Sequence, residues 1–240
     1  MPKRESSGSD LELRTRPLAE TDTHLIRAEG DAAPRFSGYA AVYNSRTAIG
    51  DPLRWGFYEQ IAPGAFDRSI EAGDPRFLVD HDSRMVVARA SAGDLRLTSD
   101  GTGLAVDADL DTEVSYVRDL VRNLEKRRIT GMSFGFRVDK DEWEEIEVEV
   151  TDDQGRTSSA TVELRTLVQI QVPEVSAVTF PAYEDTTAGL REMVSDVRAA
   201  RGRPAEAPTA RGGDRAAARA AEHRRRREAE LAARFRLPRQ

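Results

Sequence analysis

Residues 104–138 read LAVDADLDTEVSYVRDLVRNLEKRRITGMSFGFRV and carry three elements in a row. Leu104 to Leu110 alternates apolar and polar, the period of a half-buried strand. Val114, Val117, Leu120, Val121 and Leu124 then recur at helical spacing and form one apolar stripe. Asp111 or Thr112 is placed to cap that helix, and Lys126, Arg127 and Arg128 suit the negative end of its dipole. From Met132 to Val138 the period returns to two, with Met132, Phe134, Phe136 and Val138 on the core face. Ser133, Gly135 and Arg137 take the other face.

Outward from this stretch, strands dominate. Asp94 to Thr98 and Leu104 to Leu110 flank Ser99-Asp100-Gly101-Thr102-Gly103, which predicts a hairpin. Further strands are expected at 38–43, 57–61, 76–80, 85–90 and 175–179. Two β-rich runs, 141–150 and 158–172, surround Asp152-Asp153-Gln154-Gly155 and predict a long hairpin, acidic from Asp139 to Glu149. It is a flap over a cleft, a partner-binding arm or a solvated surface. Short helices are expected at 65–71 and 188–200. The sum is a β-rich α+β domain over 34–190, which argues a barrel-like or folded sheet and not a parallel α/β sandwich. Residues 1–33 are polar and aperiodic, read as a flexible N-terminal arm or one edge strand. Residues 191–240 form a Pro/Gly/Ala linker and an Ala/Arg/Glu helical tail.

Composition removes several classes of function. The 240 residues contain no cysteine, which excludes disulfide frameworks, cysteine-ligated metals and cysteine nucleophiles. The three histidines, at 24, 81 and 223, argue against a histidine-rich metal site. No cofactor is therefore expected. No apolar run approaches the roughly 20 residues that span a bilayer, and no apolar stretch follows the N-terminal charges as in a signal peptide. The net charge of −6 conceals an asymmetry: residues 191–240 hold 14 Arg against 7 acids, and residues 1–190 hold 22 basic residues against 35 acids. An acidic body is not the footprint of a nucleic-acid binder. The basic tail could contact nucleic acid or a protein partner, or be a solvated helix face.

Three segments carry candidate chemistry. His81 closes the apolar strand Phe77-Leu78-Val79-Asp80 and is followed by Asp82; it is either a general base held by a neighbour or a structural histidine. Ser133 lies beside Gly135, whose missing side chain leaves room for a substrate backbone. It is not the Gly-x-Ser-x-Gly elbow of the hydrolases, and a strand serine can be purely structural. Glu174 opens the otherwise apolar strand 175–179 and either faces solvent or is held by a partner.

Five segments together resemble the phage prohead protease (capsid maturation protease) family, over roughly residues 36–187. They are Gly38-Tyr39-Ala40-Ala41-Val42-Tyr43-Asn44; Glu59-Gln60-Ile61-Ala62-Pro63-Gly64-Ala65-Phe66; Asp80-His81-Asp82; Gly131-Met132-Ser133-Phe134-Gly135-Phe136; and Glu174 to Ala182. The resemblance implies a fold similar to the herpesvirus assembly proteases, a closed β-barrel ringed by helices. It implies a serine endopeptidase acting inside the procapsid of a bacteriophage, in the host cytoplasm. Its substrates would be scaffold or the scaffold-like arm of the major capsid protein, and itself. It assigns Ser133 as nucleophile and His81 as general base. A serine hydroxyl needs an adjacent base, and the base needs a third group to fix its tautomer. Where the herpesvirus relatives have a second histidine this sequence has Glu174, with Asp80 and Asp82 as rivals. Backbone N–H groups near Phe180 to Tyr183 would form the oxyanion hole, though the paired arginines of the herpesvirus relatives are absent there. A dimer is a possible assembly, and residues 191–240 read as a packaging segment removed by self-cleavage. The main alternative is a catalytically inactive scaffold or capsid-assembly protein that retains the fold.

Overall fold

The computed structural model describes residues 11–17, 24–26, 33–151, 154–180, 194, 195, 197 and 198. The strands are β1 (Glu12–Pro17), β2 (His24–Ile26), β3 (Arg35–Val42), β4 (Thr47–Ile49), β5 (Phe57–Ile61), β6 (Arg76–Val79), β7 (Asp82–Arg89), β8 (Leu95–Ser99), β9 (Gly103–Asp109), β10 (Gly131–Thr151) and β11 (Thr157–Val178). Two helices interrupt them, α1 (Asp67–Ala72) and α2 (Ser115–Glu125). The chain is thus α+β and β-rich.

The pairing makes two sheets. In the first, β1, β10, β11, β5 and β4 are neighbours in that order, and β6 joins β11 and carries β7. In the second the order is β2-β3-β9-β8. The ladders among the described residues do not close a ring, so the expected closed barrel is not found. The reason lies in β11. Its 22 residues, extending roughly 70 Å at strand rise, exceed a usual strand several-fold. One edge pairs with β10 throughout; the other is shared by two short parallel partners, β5 at Leu164–Leu167 and β6 at Glu174–Ala177.

The core lies on the apolar faces identified from periodicity. Phe36, Phe66, Phe77, Leu104, Leu110, Leu120, Met132, Phe134 and Phe136 are all fully buried in it. Each such side chain contributes roughly 1.5–3 kcal/mol. On α2 the stripe is as expected: Val117, Leu120 and Val121 are buried, with Val114 and Leu124 packed beside them. The capping differs. Val114 is the N-cap and has no side-chain cap, because the Asp111 carboxylate is spent one turn earlier, accepting Glu113 N–H at 2.9 Å.

Other expectations shift. The runs 132–138 and 141–150 are one strand, because register irregularities between Gly135 and Asp141 bend the ladder without ending it. Its acids Glu142, Glu144, Glu145, Glu147 and Glu149 are exposed. Within the arm expected at 1–33, residues 12–17 and 24–26 are strands, β1 and β2. β1 is held by charged contacts that hydropathy does not register. The helix expected at 188–200 is described at 194, 195, 197 and 198, where Val194 and Val197 pack with Ile49 and Phe57. The tail beyond residue 200 lies outside the described residues.

Candidate active site

Three pieces of backbone meet where β6, β10 and β11 run side by side. In the antiparallel β10–β11 ladder Ser133 faces Ser176 and Gly135 faces Glu174. Residues two apart share a face, so one face presents Ser133, Ser176, Glu174 and the bare Gly135 together. On the far edge of β11, β6 pairs in parallel up to Ala177↔Val79. That register delivers the chain leaving β6 to the same face.

His81 is not the end of a strand, as alternation suggested. Val79 pairs with Asp82, and Asp80 and His81 form the two-residue turn between β6 and β7, at φ 46° and 58°. Two successive left-handed residues are the signature of a type I′ turn, which favours Asn and Gly at these positions. Outside glycine this conformation costs roughly 1–2 kcal/mol per residue. The surroundings overcome the cost. The Asp80 carboxylate accepts Thr179 N–H at 2.8 Å and Thr179 Oγ1–H at 2.9 Å. Asp80 N–H donates to Ala177 O at 2.9 Å, and His81 N–H donates to Ser176 Oγ at 3.2 Å.

The turn aims the imidazole at Glu174. His81 Nδ1 lies 2.8 Å from Glu174 Oε1, and Ser176 Oγ–H donates to Glu174 Oε2 at 2.7 Å. Both carboxylate oxygens are therefore engaged. The Glu174 side chain is 9% exposed and that of His81 23%. The rival acids are committed elsewhere: Asp80 to Thr179, and Asp82 to Arg84 at 2.7 Å. The space beside Gly135, expected to admit a substrate backbone, is filled by the Glu174 carboxylate, with which a Cβ at 135 would collide.

Ser133 is on the correct face and fully buried. Its Oγ–H donates to Arg14 O of β1 at 2.8 Å, and no hydrogen bond links it to His81 among the described residues. Of the oxyanion region, Phe180 is described and exposed; 181–183 lie outside the described residues. A described cleft of about 710 Å³ is lined by Arg68, Asp74, Arg76, Arg137 and Lys140 among others and contains none of Ser133, His81 and Glu174.

A family model for the Caudovirus prohead serine protease matches residues 21–198. The chain belongs to that family. It is 29% identical over 184 residues to the prohead protease of Enterobacteria phage HK97, spanning 76% of this chain and 69% of that protein. The solved structure of the bacteriophage T4 capsid assembly protease aligns with a TM-score of 0.42 and 9% identity, over 72% of this chain and 98% of that one. The family is one of serine proteases. No helix among the described residues is long and apolar enough to cross a membrane.

Two features of this region escaped the sequence reading. Ser176 follows Glu174 by two residues, so period-two alternation puts it on the same face, a signal that was available. The second is a buried charge cluster beside the serine. Arg165 and Glu59 are 3% and 4% exposed. Arg165 donates to Asp141 at 2.8 Å and to Glu12 and Glu59 at 3.1 Å, while Arg14 donates to the two oxygens of Glu59 at 2.6 and 2.9 Å. Burial alone would raise the Glu12 carboxyl; the guanidinium groups of Arg14 and Arg165 outweigh it and hold Glu12 below its ordinary value. Burial likewise opposes the charge on Arg165, yet Glu59 and Glu12 push its pKa up. These residues come from β1, β5, β10 and β11, so no local pattern links them.

Proposed function

We propose that this chain is a serine endopeptidase of phage capsid maturation, with Ser133 as nucleophile, His81 as general base and Glu174 as the acid that orients it. The observation carrying this reading is the His81–Glu174 contact at 2.8 Å, on the ladder face that holds Ser133. A carboxylate accepting Nδ1–H fixes the tautomer that leaves Nε2 free to accept a proton. Ser133 Oγ then adds to the scissile carbonyl carbon while its proton passes to His81 Nε2. Breakdown of the tetrahedral adduct expels the amine, which takes the proton from His81, and leaves an acyl ester on Ser133. Water hydrolyses the ester by the same route in reverse. Backbone N–H groups near Phe180 to Tyr183 would stabilise the oxyanion, worth about 3 kcal/mol per donor.

Family membership supports the place and the partners. The enzyme would act inside the procapsid, in the host cytoplasm, on scaffold or the scaffold-like arm of the major capsid protein. It would also shed its own terminal segments, residues 191–240 among them. A homodimer is a compatible assembly. The runner-up is an inactive assembly protein with the same fold, and the burial of Ser133 behind β1 is what favours it.

Intact mass over time decides between them, wild type beside Ser133→Ala, alone and coexpressed with the cognate capsid protein. Fragments of either protein in wild type only are the expected result. Identical fragments from both chains, or none from either in the presence of capsid protein, would remove the protease reading.

A further inference from the structure

β10 carries Ser133 and has two edges. One is occupied by β11. Along the other, from Gly131 to Phe136, lies β1, antiparallel, with Thr15 opposite Ser133 and Leu13 opposite Gly135. Without β1 this edge would present a row of open N–H and C=O groups next to the serine, the template on which an extended peptide adds as a strand. Resting on Ser133 as nucleophile, we propose that this edge is the substrate groove, that Glu12–Pro17 fills it as an internal stand-in for substrate, and that Glu59 selects a strand with an arginine immediately before the bond to be cut.

The register identifies the position. The carbonyl facing the serine is that of Arg14, 2.8 Å from Ser133 Oγ, so the bond in the scissile place is Arg14–Thr15. The Arg14 side chain enters a ready-made receptor, its guanidinium forked onto both oxygens of Glu59. Two residues earlier Glu12 meets Arg165 at 3.1 Å. Glu59 and Arg165 belong to β5 and β11 and are nearly inaccessible, so both stay in place whatever strand occupies the edge. With the groove empty Glu59 keeps Arg165 on one oxygen, and a planar fork that reaches both oxygens suits it better than a lysine point charge. Glu59 therefore discriminates for arginine, and Arg165 favours an acid two residues before it.

The way β1 is held fits an exchangeable occupant. No residue of β1 is fully buried; Leu11 just before it and Leu13 within it are 48% and 44% exposed. Charged contacts, not apolar burial, seat it. Replacing one strand by another with the same charges at the same spacing is close to neutral in free energy. While β1 is in place, the Ser133 hydrogen goes to a carbonyl and not to His81. The resting chain is latent toward other strands because β1 fills the groove, and a matching substrate strand reaches Ser133 by displacing β1.

The test uses the full chain and two probes: a fluorophosphonate that labels activated serines, and a peptide of residues 11–18, LELRTRPL, beside its arginine-to-alanine form LELATRPL. Arg14→Ala should label at Ser133 about tenfold faster than wild type, the scale of one charged hydrogen-bond pair. LELRTRPL should slow that labelling and LELATRPL should not. Wild type itself should cut LELRTRPL between Arg and Thr about a hundredfold faster than LELATRPL, a comparison independent of how Arg14→Ala folds. Glu59→Gln should erase the difference between peptides. If Ser133 labels but wild type cuts both peptides alike, the groove and its arginine preference are wrong while the nucleophile stands. Equal labelling of wild type and a folded Arg14→Ala chain overturns latency. If Ser133 labels in no form, the nucleophile reading fails and this inference with it.

Discussion

Gly135 and Glu174 stand opposite each other in the β10–β11 ladder, and the carboxylate of Glu174 occupies the space that a side chain on residue 135 would need. The glycine is what allows an acid on β11 to lie flat across β10 and reach His81. Under the proposed triad, its role is to seat the acid that orients His81.

Gly135→Ala should therefore act like damage to Glu174. The added methyl pushes the carboxylate off His81 Nδ1 and releases the ring. We expect a loss of at least about a hundredfold in kcat/KM, approaching the roughly 10⁴-fold effect of disabling a triad acid. The far-UV spectrum should be retained, and peptide-cleavage kinetics give the readout. Activity within a few fold of wild type would show that Glu174 does not orient His81.

The three acids near His81 should separate cleanly by substitution. Glu174→Gln is expected to cut kcat by about 10³–10⁴-fold. Asp82→Ala should leave kcat within about twofold, because its carboxylate accepts from Arg84 on the exposed surface. Asp80→Ala removes both contacts to Thr179 that hold the strained turn. It should cost about 1–3 kcal/mol of stability in urea melts and lower activity through misplaced His81.

Glu12 predicts a pH dependence. Its folded pKa lies below the ordinary glutamate value, so its contribution to stability is fully present above about pH 4.5 and is lost as pH falls through the folded value. Wild type should be more stable than Glu12→Gln near neutral pH, and the gap should close below pH 4.5. Paired denaturant melts across that range measure it. A gap that stays constant in acid would mean that Glu12 is not ionised against Arg14 and Arg165.

Arg165→Met should be severe. It takes the Arg165 partner away from Glu12, Glu59 and Asp141, three largely buried carboxylates. Breaking a buried pair by removing one partner costs about 3–5 kcal/mol. The thermal midpoint should drop by ten degrees or more, roughly, for a domain of this size. A shift of only a degree or two would place the cluster in contact with solvent.

Much of the architecture could be anticipated because it follows from local periodicity. Phe57–Ile61 is the strand its pattern predicts. The α2 stripe is the buried face, and Asp100 closes the 99–103 hairpin by accepting Thr102 and Gly103 N–H. β1 could not be read this way, since charged side chains seat it and Leu13 is exposed. The bend that makes one strand of residues 131–151 is equally invisible, since irregular register is a property of the partner as much as of the strand.

Ser133, His81 and Glu174 were identifiable as candidates from motif resemblance alone. Their spatial relationship was not. His81 meets Glu174 because a parallel ladder aligns Val79 with Ala177 and a left-handed turn follows it. Asp80 and Asp82 are equally close in sequence, and only the fold shows that they bond Thr179 and Arg84. Composition, hydropathy and turn chemistry act between neighbours along the chain, so they establish which elements form and which face each buries. The hydrogen of Ser133, the fork of Arg14 on Glu59 and the space left by Gly135 each depend on residues 39 to 119 positions apart. Such contacts exist only once the sheets have assembled, because the order and register of distant strands decide them.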